Sequence, residues 1–174
     1  MDEKHRTIAD IIDNVRRIFQ ILNEQSKKIE RETGLTGPQL WTIKAIGESS
    51  PVRVLDLARR IYLHPATVVG ILDRLEARGY LLRKRSEGDR RVVWVELTEK
   101  GKGLLSSAPE VAQGLLASGL EPLEQGRLRD INLGLMQLVE IFGAQKVPPR
   151  LILSPEWNVP EEDRPSPERR RRKP

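Results

Sequence analysis

The run Asp89-Arg90-Arg91-Val92-Val93-Trp94-Val95-Glu96-Leu97-Thr98 constrains the fold more than any other stretch of this 174-residue chain. Val93, Val95 and Leu97 alternate onto one face, the period of a half-buried strand. Upstream, Leu81-Leu82-Arg83 supplies a partner strand and Ser86-Glu87-Gly88-Asp89 a polar turn. The result is a hairpin with Arg90 and Arg91 at its tip and Asp89 beside them. Thr98 ends the second strand and caps a helix, with Glu99 well placed in the first turn. An arginine-tipped hairpin fits a narrow groove of negative potential, such as the minor groove of DNA. Just before it, Leu63-His64-Pro65-Ala66-Thr67 through Gly79-Tyr80 reads as a short helix closed by glycine. Helix followed by basic hairpin is the pattern of a winged helix-turn-helix.

The other elements repeat a common grammar of polar cap, proline and apolar stripe. Ile8, Ile11, Ile12, Val15, Ile18, Phe19, Leu22 and Ile29 recur mainly at three- and four-residue spacing. They predict a helix of roughly two dozen residues, about 36 Å long, that needs an equally long partner surface. Thr36-Gly37-Pro38-Gln39 fits a capping box. Ser50-Pro51 reads as serine N-cap and proline at the first position of a helix through Val54, Leu55, Leu57, Ala58 and Ile61. His64-Pro65 reads the same way, with Val68, Ile71, Leu72 and Leu75 facing inward. After Thr98 a helix runs on with a bend or break at Pro109 and Gly114, and Leu120 to Phe142 is read as a last amphipathic helix. Seven of the twelve prolines fall between Pro148 and Pro174, and Arg169 to Lys173 are all basic, which predicts a largely disordered tail. The organisation expected is a dimerisation helix over 7–34, a winged helix-turn-helix over 36–98, further dimerisation helices over 99–143 and the tail over 144–174. The fold class is mainly α with a small β-wing.

Charge supports a polyanionic partner. Net charge is +5, and between Arg78 and Arg91 six basic residues stand against two acids, so most of the excess sits on the hairpin and its approach. The chain has no cysteine, which excludes disulfides, thiolate zinc sites and thiol redox sensing. Two distant histidines make a transition-metal site unexpected. There is no glycine-rich phosphate loop or nucleophile elbow, so no cofactor and no enzymatic activity are expected. A charged amino terminus and the lack of an apolar run near ~20 residues predict a cytoplasmic protein with no membrane association.

From Thr36 to about Gly101 the chain resembles the MarR family of bacterial transcription regulators. The residues that carry the resemblance are Thr67-Val68, the run Leu72-Asp73-Arg74-Leu75-Glu76-Ala77-Arg78-Gly79, and the wing signature Asp89-x-Arg91 followed by Leu97-Thr98-Glu99-Lys100-Gly101. Helix order extends it to about residues 7–143. The resemblance implies a homodimer with intertwined first and last helices. Each lobe would place a recognition helix in the major groove and a wing in the flanking minor groove of a pseudo-palindromic site. It further implies a repressor released by a small aromatic or anionic effector, nucleoid-associated while DNA-bound.

On this reading Arg91 enters the minor groove and Asp89 orients it; the alternative is a solvated ion pair. Arg90, Arg83 and Arg85 position phosphates, and Arg53 and Arg74 are further candidates for the backbone. His64 is chiefly a helix cap at the DNA-facing end of the recognition helix. If the core face is as assigned, Pro65, Ala66, Thr67, Val69 and Gly70 face the groove. That surface lacks Arg, Asn and Gln, so bidentate base reading is largely missing and methyl contacts in an A·T-leaning operator are expected instead. Gly70 costs about 0.5–1 kcal/mol of helix stability relative to alanine, which close approach to DNA would offset. Trp41 is the candidate for the effector crevice, with core packing as the alternative. Trp94 is either a partly exposed wing residue or a prop against the recognition helix. The rival function is a winged-helix module that contacts proteins without operator binding.

Overall fold

The computed structural model describes residues 2–86, 88–89 and 92–147. Ten elements follow in order: α1 (Glu3–Thr33), α2 (Gly37–Gly47), β1 (Val52–Arg53), α3 (Val54–Arg60), α4 (Pro65–Ala77), β2 (Leu81–Arg85), β3 (Val93–Leu97), α5 (Glu99–Leu105), α6 (Ala112–Leu120) and α7 (Gln125–Ile141). The architecture is mainly helical with a three-stranded antiparallel sheet in the order β1-β3-β2. The chain has a winged helix-turn-helix fold.

One core carries the lobe. Leu40, Ile43 and Ile46 of α2, Leu57 and Ile61 around α3, Leu72 and Leu75 of α4, and Leu81 and Val95 of the sheet are fully buried together. The inward face of α4 is Val68, Ile71, Leu72 and Leu75, the set expected from its periodicity. Three caps act as the sequence implies. Thr36 and Gln39 form both bonds of a capping box. The Nδ1 of His64 accepts from the Ala66 N–H at 3.3 Å, and the Thr98 hydroxyl accepts from the Gly101 N–H at 3.2 Å.

Three sequence expectations need correction. Ser50 does not cap α3. Val52 and Arg53 instead pair with Val95 and Trp94 as a third strand, and α3 starts at Val54 with Arg53 as its N-cap. Proline's fixed φ suits an extended entry as well as a helix start, and the exposed edge of β3 offers a ladder to join. The first helix runs 31 residues rather than two dozen, about 46 Å by rise per residue. The last helix starts at Gln125, because Glu121 to Leu123, with Pro122 among them, form a turn that separates it from α6.

Both ends of the chain leave their apolar faces uncovered. Only Ile29 of α1 is buried, while Ile8, Ile11, Ile12, Ile18 and Phe19 are exposed, Phe19 to 62 %. Helix α7 buries nothing, and Ile131, Leu135 and Val139 stand open along it.

Candidate nucleic-acid interface and crevice

Helix α4 begins at the His64 cap with Pro65 in its first turn, and its outward surface is small and uncharged over the first turns. Ala66 and Val69 are exposed, Pro65, Thr67 and Gly70 half-buried. A Cβ added at Gly70 would meet no protein atom within 4 Å. None of the five positions assigned to the groove face is buried in the core. Arg74 follows on the exposed side, one turn beyond Gly70.

The wing is registered against α4 by one arginine. In the hairpin Arg83 faces Val95 and Arg85 faces Val93. The Arg83 guanidinium donates to the Glu76 carboxylate at 2.9 Å and lies 2.7 Å from an Asp73 carboxylate oxygen. Its backbone N–H also donates to Glu76, at 3.1 Å. The hydrogen bond from Arg83 pulls the Glu76 carboxyl below the ordinary carboxylate range, and that same bond raises Arg83 further. Arg83 is thus tied to two carboxylates of α4, whereas Arg85, at the distal end of β2, is exposed. Towards the tip, the Ser86 N–H donates to the Val92 carbonyl (3.0 Å) and the Val92 N–H to the Asp89 carbonyl (2.9 Å). Arg90 and Arg91, the residues on which the groove reading rests, lie outside the described residues, as does the tail from Pro148.

Arg53 stacks on the wing. Its guanidinium carbon lies 5.0 Å from the centre of the Trp94 ring, across the Arg53–Trp94 pair of β1 and β3. Trp94 is half-buried and supports that cation. Sequence spacing does not pair them, since the segment that brings them together has the signature of a helix start.

Trp41 lines a cavity of about 440 Å³. Tyr62 and Leu63 of the α3–α4 turn, Leu116 and Glu121 of α6 and its end, and Leu128 of α7 share its wall. Gly114 lets α6 lie close to the indole: a Cβ there would sit 3.4 Å from Trp41 Cδ1 and Nε1. The Tyr62 hydroxyl donates to a Glu121 carboxylate oxygen at 3.0 Å, joining the α3–α4 turn to the end of α6. That bond, with the carboxylate's charge, raises Tyr62 above the ordinary phenol value of 10.0. Tyr62 and Glu121 are not legible as partners in the sequence, being 59 residues apart with no shared motif. Among the described residues no group of three metal-ligating side chains occurs, and no helix is long and apolar enough to cross a membrane.

Comparison with known proteins agrees with this geometry. The MarR family model matches residues 35–93. The chain is 29 % identical over 119 residues to the organic hydroperoxide resistance transcriptional regulator of Bacillus subtilis (strain 168), spanning 68 % of this chain and 80 % of that protein. It is 26 % identical over 127 residues to the HTH-type transcriptional regulator MgrA of Staphylococcus aureus, spanning 73 % of this chain and 85 % of that one. Among solved structures it is similar to a MepR-like protein complexed with pseudoligands, with a TM-score of 0.53, 28 % identity, and coverage of 79 % of this chain and 98 % of the other.

Proposed function

Residues 35–93 are a MarR-family domain, and from that premise we propose that the chain is a homodimeric DNA-binding transcription regulator, a repressor of the genes beside its operator. Helix α4 enters the major groove of each pseudo-palindromic half-site, and the wing bearing Arg91 enters the adjacent minor groove. The observation that carries this reading is the Arg83 cluster. It fixes the hairpin to the recognition helix through Glu76 and Asp73, so helix and wing meet the duplex as one rigid unit. The uncharged outward face of α4 supports recognition by methyl contact and groove shape, with the discrimination an A·T-leaning operator allows. The uncovered apolar faces of α1 and α7 support an intertwined dimer, since a second copy of the chain supplies a partner of matching length.

A small-molecule effector seated in the Trp41 cavity releases the DNA. The cavity volume lies in the usual range for ligand sites, and a MepR-like relative was crystallised with pseudoligands. Thiol oxidation is not the signal, because the sequence contains no cysteine. The reading assigns the chain no catalytic step and no cofactor, and places it in the cytoplasm, on the nucleoid when bound to DNA.

A salt titration of duplex binding tests it. Affinity is expected to fall steeply with salt. Arg91→Ala is expected to weaken binding and to flatten the log–log slope by about 0.9 for each phosphate that is no longer neutralised. Salt-independent binding, or full affinity in Arg91→Ala, would overturn the reading.

A further inference from the structure

The charges around the Trp41 cavity select among effectors. Apart from Gln113 and Glu121 its wall is aliphatic and aromatic, and among the described residues its only ionic group is the Glu121 carboxylate, with no lysine or arginine lining it. A neighbouring cleft shares Trp41 and Glu121 and adds two cations, Lys44 and Arg60. Both are already matched: Lys44 lies 3.2 Å from Glu110 and Arg60 2.8 Å from Glu48. Negative charge is therefore in excess where the indole and the carboxylate meet.

Tyr62 completes the arrangement. Two bonds close the end of α3, from Tyr62 N–H to Arg59 O at 3.2 Å and from Leu63 N–H to Ala58 O at 3.0 Å, the pattern of a Schellman motif. Helix α4 ends in the same way, with Gly79 at the left-handed position. In α3 that position is held by Tyr62, at φ 54°, among the described residues the one non-glycine with positive φ. Side chains rarely adopt this conformation, and here it aims the phenol at Glu121. Two residues later comes His64, the cap of the recognition helix.

We propose that the cavity takes a small aromatic cation, which stacks on Trp41 and draws the Glu121 carboxylate away from the Tyr62 hydroxyl. This deepens the effector-responsive reading given above and rests on it. An anionic effector, one of the two classes the family resemblance implies, would meet Glu121 with like charge. A cation gains both the carboxylate and the indole face. Once Glu121 is taken, α6 no longer holds the turn that leads into α4, and the position of the recognition helix changes with its tether.

The matched pair tetraphenylphosphonium and tetraphenylborate separates charge from shape. Calorimetric titration of the full chain is expected to show the cation binding at least about tenfold more tightly than the anion. The chain's net charge of +5 would favour the anion if binding were non-specific, so this preference has to come from the site. Glu121→Gln is expected to weaken phosphonium binding about two- to fivefold, and Tyr62→Phe, which frees the carboxylate, to strengthen it. The opposite directions distinguish a role in the site from loss of folding. Equal or tighter binding of the borate, or unchanged phosphonium affinity in Glu121→Gln, overturns the inference. Duplex binding without ligand is measured alongside: its absence sinks the regulator reading, and its presence with no cation preference sinks the ligand class alone.

Discussion

The Glu76 carboxylate accepts from both the backbone N–H and the guanidinium Nε–H of Arg83, at 3.1 and 2.9 Å. A single acid on the recognition helix thereby fixes both the main chain and the side chain of the wing's first strand. Glu76 is held below its ordinary value of 4.5 by that contact. With a depressed folded pKa, its contribution is complete above the ordinary value and is lost as pH falls through the lower folded one. Both side chains keep partial exposure, so about 1 kcal/mol is a reasonable size for it. Urea midpoints taken from neutral pH to about pH 3 should drop less in Glu76→Gln than in the parent. An equal drop would mean the acid sensitivity lies elsewhere.

Gly70→Ala separates helix stability from DNA contact. No protein atom lies within 4 Å of the added methyl, so the variant should be more stable by about 0.5–1 kcal/mol. Duplex affinity, measured by fluorescence anisotropy, is expected to fall because the methyl intrudes on a close approach. Undiminished affinity would show that the backbone does not approach DNA there.

Gly101 is constrained from inside the protein. A Cβ there would lie 2.1 Å from the Tyr80 carbonyl oxygen and 3.3 Å from Leu97 Cβ. Neither neighbour can move cheaply: Tyr80 O accepts the Thr98 N–H at 3.1 Å, and Leu97 lies in the core. Gly101→Ala should cost roughly 2 kcal/mol or more in a urea titration, at the upper end of overpacking penalties. A cost under about 0.5 kcal/mol would show that α5 can shift freely against the sheet.

Phe19→Asp and Leu135→Arg place charge on the exposed faces of α1 and α7. Each removes a side chain whose burial against a second copy is worth about 1.5–3 kcal/mol. Sedimentation equilibrium should show both variants shifted towards monomer and the parent dimeric. A monomeric parent would remove the reason for these uncovered stripes.

Most of the lobe is readable from local chemistry. The Thr36, His64 and Thr98 caps and the inward set of α4 each depend on residues within one or two helical turns, and a cap or a 3.6-residue period leaves a direct trace in sequence. The β1 strand leaves none. Ser50-Pro51 satisfies the rules for a helix start, and only the open edge of β3, some forty positions along the chain, turns Val52 and Arg53 into a strand. The candidate site divides the same way. The outward-facing residues of α4 follow from its period, while Arg83, whose charge suggests a phosphate partner, is bound to Glu76 and Asp73.

What the sequence determined by itself was most of the helices, the Thr36, His64 and Thr98 caps, the hairpin and the inward face of α4, because those follow from hydrogen-bond satisfaction and apolar period over a few neighbouring residues. Tertiary structure alone decided which charges neutralise one another and where a cavity opens. Arg53 met Trp94, and Tyr62 reached Glu121 across 59 positions. Such pairings depend on how rigid elements pack in space, and Coulomb and stacking energies respond to distance between groups, not to their separation along the chain.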